Sequence, residues 1–141
     1  MAVDSSGVST LDVFDSFMGD LISGFGVDVK FHGGLIYTTT GRVIDPVARV
    51  VLGTFSLPTT FGNFVTIDAT IGRAFFLTRD GSSGTWSLRA FDLTTRQFLS
   101  GVLIPGLTGN PGSLIRWGAK GLAFRTSSGQ VHLIEAASLI P

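Results

Sequence analysis

Residues 65–92 read VTIDATIGRAFFLTRDGSSGTWSLRAFD. A β-branched run ends at the carboxylate of Asp68, and a turn closing on Gly72 leads into the aromatic run RAFFLT. The polar stretch RDGSSGT then separates that run from a third, WSLRAFD. Three strand-forming runs joined by turn chemistry within so short a segment describe an antiparallel meander. Runs of the same kind lie on both sides: VDVKF, LIYTT, RVID and VVLGTF before it, QFLSGVLI, SLIRW, LAFRT and QVHLIE after it. Nineteen Gly against one Glu and two Lys disfavour helices, since each helical Gly costs about 1 kcal/mol. The expected class is all-β. Leu11–Ile22 alone has a helix-compatible period, through Leu11, Phe14, Met18 and Leu21 or Ile22, and Gly19 and Ser23 weaken it.

Composition narrows the function classes. Ten Lys+Arg balance ten Asp+Glu and only 14 % of residues are charged, so no broad basic surface exists for nucleic acid or an anionic membrane. The absence of Cys removes disulfides, thiolate metal sites and a cysteine nucleophile. The first residues, MAVDSSGVST, have neither a basic start nor an apolar run, and no stretch of membrane-spanning length occurs. A soluble chain without a visible signal peptide is expected, from a bacterial cytoplasm or as a fragment of a secreted protein.

A search for self-similarity aligns three segments: Val27–Asp45, Val65–Asp92 and Leu114–Glu135. Each runs apolar strand, Gly turn, aromatic strand, polar turn, and third strand ending in an acid. The aromatic column is Tyr37, Phe75 and Phe124, behind Gly34, Gly72 and Gly121, and Thr38, Thr78 and Thr126 lead out. The closing acids Asp45, Asp92 and Glu135 stand 47 and 43 residues apart, and Asp15 in TLDVFD fits the same column. A fourth apolar strand follows each of Asp15, Asp45 and Asp92, whereas Glu135 is followed only by AASLIP. The last repeat thus lacks a fourth strand, and the N-terminus carries a third-and-fourth pair with nothing before it.

The unit with an apolar-x-apolar-acid end, RVID, RAFD and the variant HLIE, resembles the YVTN and quinoprotein-like β-propeller repeats over residues 7–140. The resemblance implies antiparallel four-stranded blades, about three per chain. Their expected bounds are 7–24 for an N-terminal partial blade, 25–58 and 61–106 for two blades, and 110–140 for a three-stranded blade completed by an N-terminal strand. Propellers close with about four to eight blades. Three therefore imply a homodimer of half-propellers with six blades, or a fragment of a longer propeller.

In that architecture the innermost strands line a channel whose mouth carries the site. Matching Phe31 to Ala69 and Trp117 puts Lys30, Asp68 and Arg116 at one level, as an anion-binding ring or as ion pairs between blades. Asp28, Lys30 and His32 alternate onto one strand face, giving an acid–base row in which His32 or Asp68 would serve as catalytic base. Trp117, with Phe25, Phe61, Phe64 and Trp86, would line a pocket or pack between blades. His132 is expected at an ordinary strand position. No His-x-His, HExxH, EF-hand or Gly-x-Ser-x-Gly motif occurs. Calcium, which propeller lactonases and phosphotriesterases hold with channel Asp, Glu and Asn, would have only Asp28, Asp68 and Asn63. Asp20, Asp45 and Asp92 read as turn-capping carboxylates. The expected function is a self-assembling binding module with a small anionic or aromatic ligand. The alternative is a hydrolase of activated esters, lactones or phosphotriesters that uses Lys30 and Arg116 to stabilise negative charge.

Overall fold

A computed structural model describes residues 2–5, 7–9, 21–22, 24 and 26–140. Asp15, Asp20, Phe25 and most of the Leu11–Ile22 segment, with its helical and strand readings, lie outside the described residues. Among those described there is no helix, and hence none long and apolar enough to cross a membrane.

The architecture is all-β and antiparallel. β1 (Ala2–Asp4) and β2 (Gly7–Ser9) pair only with each other. Sheet one is a meander of β3 (Val29–His32), β4 (Leu35–Thr38), β5 (Arg42–Asp45) and β6 (Val50–Thr54). Sheet two repeats it with β7 (Phe64–Asp68), β8 (Arg73–Arg79), β9 (Trp86–Asp92) and β10 (Phe98–Ile104). Sheet three has β11 (Ile115–Trp117), β12 (Gly121–Arg125) and β13 (Val131–Glu135).

The turns repeat as the strands do. Asp45 Oδ1 accepts the N–H groups of Val47 and Ala48, and Asp92 Oδ1 those of Thr94 and Thr95. Four residues after each acid an arginine enters the left-handed region, Arg49 at φ 60° and Arg96 at φ 63°. Each donates its backbone N–H to the acid's carbonyl at 2.9 Å. The carboxylate thus holds a turn that arginine would otherwise adopt at a cost.

Strand register shows which positions correspond. The residue before each closing acid faces Ile36 in sheet one, Ala74 in sheet two and Leu122 in sheet three: Ile44↔Ile36, Phe91↔Ala74 and Ile134↔Leu122. This corrects the aromatic column, whose third member is Ala123 rather than Phe124. It also corrects the channel row, because the residues opposite Leu35, Arg73 and Gly121 are His32, Asp68 and Trp117. Lys30 therefore stands level with Thr66 and Ile115, not with Asp68 and Arg116. The cause is hairpin length, since the first turn spans residues 33–34 in sheet one, 69–72 in sheet two and 118–120 in sheet three. An alignment anchored on the turn glycines slips by that difference.

Sheet two lies between the other two. Phe75, Leu77, Leu88 and Ala90 pack against Leu114, Leu122 and Phe124 of the third sheet's side, joined there by Leu139 and Ile140. Ala74, Phe76 and Phe91 point the opposite way, onto Tyr37, Val43 and Phe55. Successive side chains of a strand face opposite sides, so the unbroken AFFL run of β8 is what two covered faces require. Phe55 meets Phe76 and Phe91 at ring separations of 5.1 and 5.5 Å, and Phe76 meets Phe91 edge-on at 5.6 Å. Burial pushes the Tyr37 phenol pKa up, with the nearby Arg96 charge opposing it. The Arg96 side chain also lies across Gly53, where a β-carbon would meet its Nε. The Arg73 guanidinium donates to the Leu139 carbonyl and the Ser100 hydroxyl to that of Ser138, tying the C-terminal turn to sheet two. The first strands gather together, β7 lying against both β3 and β11.

Candidate functional site

Where β3, β7 and β11 end, a cleft of about 570 Å³ opens, with His32, Ile67, Asp68, Thr70, Arg116 and Ala119 in its walls. Three residues singled out from the sequence, His32, Asp68 and Arg116, therefore meet at one place. Asp68 is the last residue of β7 and points towards sheet three, whereas Arg116, one residue short of the end of β11, points back towards sheet two.

The two form one ion pair between sheets, Arg116 Nε to Asp68 Oδ2 at 2.7 Å, with both side chains largely shielded from solvent. The other Asp68 oxygen accepts the Thr70 N–H at 3.0 Å and its hydroxyl at 2.6 Å. Burial works to raise the Asp68 pKa; the Thr70 and Arg116 hydrogen bonds and the Arg116 charge outweigh it, and the net shift is downward. A carboxylate so engaged stays ionised and has little tendency to take up a proton. Arg116 is held as firmly. It donates to the carbonyls of Gly121 at 2.6 Å and Ala119 at 2.8 Å, and its guanidinium carbon sits 5.6 Å from the centre of the Phe75 ring. These bonds use three of its five N–H groups.

The other candidates fall elsewhere. Lys30 pairs with Asp28 at 3.6 Å, with both side chains exposed, and Asp28 also accepts the Val29 N–H. Trp117 lies on the face of sheet three turned away from the cleft, its ring over Gly121, where a β-carbon would meet it at 2.5 Å. His132 is half-buried and stacks on Phe124 at 4.9 Å, its Nε2 without a hydrogen-bond partner. Phe64 and Trp86 face each other at 6.5 Å on the side of sheet two that sheet three covers. Phe61 is exposed beside the Arg79–Gly84 turn.

Asp28, Asp68 and Asn63 do not converge on a calcium site. Asn63 precedes β7 and Asp68 ends it, about 16 Å away along an extended strand. The buried Asn63 amide donates to the Thr39 and Thr59 carbonyls, which leaves its Oδ1 unbonded. Among the described residues no three His, Asp or Glu side chains gather to hold a metal ion.

The sequence reading did not single out Thr70 or the carbonyls of Ala119 and Gly121. Asp-x-Thr at a strand end is the turn signature by which Thr70 could have been found. The carbonyls leave no mark in side-chain identity. No protein-family model matches the chain, and a search of curated proteins finds no match.

Proposed function

We propose that the three sheets are blades of a β-propeller and that two copies of the chain close into a six-bladed ring whose central cleft binds a small ligand. The observation that carries this reading is the gathering of β3, β7 and β11, with β7 between the other two, while the later strands of each meander follow in order away from them. Radially placed blades have that arrangement. The paired Asp68 and Arg116 act as a tie between blades, and the remaining guanidinium N–H groups with His32 supply donors for an anionic ligand such as a carboxylate. A hydrolase with Asp68 as its base finds less support, because three hydrogen bonds engage that carboxylate and its lowered pKa makes it a weak base.

Light scattering during size exclusion tests the assembly. The expected mass is twice the 14.9 kDa of one chain. A stable species of single-chain mass at all concentrations refutes the ring, and with it the closed channel.

A further inference from the structure

We infer that the seam between the two copies is closed by Trp117 of one copy packing against Phe31 of the other, an inference that rests on the six-bladed ring. At the inner end of each sheet one residue points forward, to the sheet that follows, and a corresponding residue points back. The forward residues are His32, Asp68 and Trp117. The backward ones, opposite Ile36, Ala74 and Leu122, are Phe31, Ile67 and Arg116.

Within the chain these positions already meet. His32 and Ile67 line the same cleft, with Arg116 of sheet three also in its wall. Asp68 and Arg116 join at 2.7 Å between sheets two and three. One forward residue and one backward residue are left over, Trp117 at 43 % exposure and Phe31 at 70 %. Both are large and aromatic. Repeating the step that relates sheet two to sheet three sets Trp117 of one copy against Phe31 of the next. Gly121 lets the indole lie flat on its own sheet, ready to be covered.

The rest of the forward face of sheet three agrees. Val131 and Leu133 occupy the positions of Leu88 and Ala90 in sheet two, as their pairing with Arg125 and Ala123 against Leu77 and Phe75 shows. Leu88 and Ala90 are fully buried under sheet three, whereas Val131 and Leu133 are 70 % and 55 % exposed. Apolar side chains thus stand, uncovered, at positions this chain elsewhere buries beneath a following sheet. A second copy is the occupant that fits, meeting these positions with the inner strand of its sheet one, where Val29 and Phe31 are exposed while Thr38 and Ile44 of the same face are already buried within the chain. The formal net charge of zero puts no net-charge repulsion between copies.

The test exchanges one kind of contact for the other. Trp117→Asp and Phe31→Arg install, at the seam, the residue types that already pair as Asp68 and Arg116. Each single variant should weaken dimerisation about tenfold or more, read by light scattering across a dilution series. The double variant should recover the dimer. Both positions are exposed in the single chain, so circular dichroism should match the wild type. Leu133→Lys probes the same face independently and should also halve the mass. Single variants that remain dimeric while the wild type is dimeric overturn the seam and leave the ring standing. A double variant that stays monomeric likewise overturns the pairing of these two positions. A wild type of single-chain mass refutes the ring itself.

Discussion

At the scale of single residues, Asp68 and Arg116, two residues singled out from the sequence, are joined in one ion pair between sheets. Their charges satisfy each other, and the remaining carboxylate oxygen is taken by Thr70. Removing one partner leaves the other shielded and unmatched, which costs more than a surface ion pair would. Arg116→Ala is expected to lower stability by about 1–3 kcal/mol. Asp68→Asn should cost less, since an amide oxygen still accepts from Thr70. The double variant should show coupling of about 1 kcal/mol in a urea-denaturation cycle. Additive losses would mean that the two side chains act independently. Their pairing between neighbouring sheets was one of the two readings the sequence offered, whereas the level at which each stands was not legible, because differing hairpin lengths displace the register.

Among the elements, the turn that follows the third strand recurs in sheets one and two with the same hydrogen bonds. Asp80 shares the chemistry of Asp45 and Asp92, its Oδ1 accepting the N–H groups of Ser82 and Ser83. These carboxylates act locally, so their loss should be felt locally. Asp92→Ala is expected to speed amide exchange at Thr94 and Thr95 and in the adjoining start of β10, while β8 stays protected. Unchanged exchange at those two amides would show that Arg96 and the strands hold the turn alone. The strands and the capping role of Asp45 and Asp92 could be read directly, since an Asx turn is decided within four residues. Sheet three's first hairpin, its turn spanning 118–120, could not be aligned by sequence, since Gly118 and Gly121 both offer themselves as its anchor.

For the whole molecule, acid should act through a few carboxylates. Hydrogen bonds and cation charge outweigh burial at Asp68, and hydrogen bonds from the following turn do so at Asp80 and Asp92, so all three pKa values lie below the usual 3.8. A group depressed by folding contributes stability that is present above its unfolded pKa and lost as pH falls through its folded value. The urea midpoint should therefore be flat down to about pH 5 and fall steeply below about pH 4. Asp68→Asn should flatten part of that fall. A midpoint that rises on acidification would contradict the direction of all three shifts.

What the sequence determined by itself is what depends on near neighbours: strand content from glycine and β-branched composition, the turns from Asp and Gly placement, the threefold recurrence from spacing, and the absence of cysteine chemistry. The burial of both faces of β8 is already visible in the unbroken run AFFL. The tertiary structure alone decided which of these neighbours meet across sheets. It set His32, rather than Lys30, level with Asp68, turned Arg116 back onto sheet two, and turned Trp117 away from the cleft. The reason is the two-residue period of a strand: a one-residue difference in a hairpin reverses the face on which every later side chain lies, and only the packing of whole sheets selects between the two.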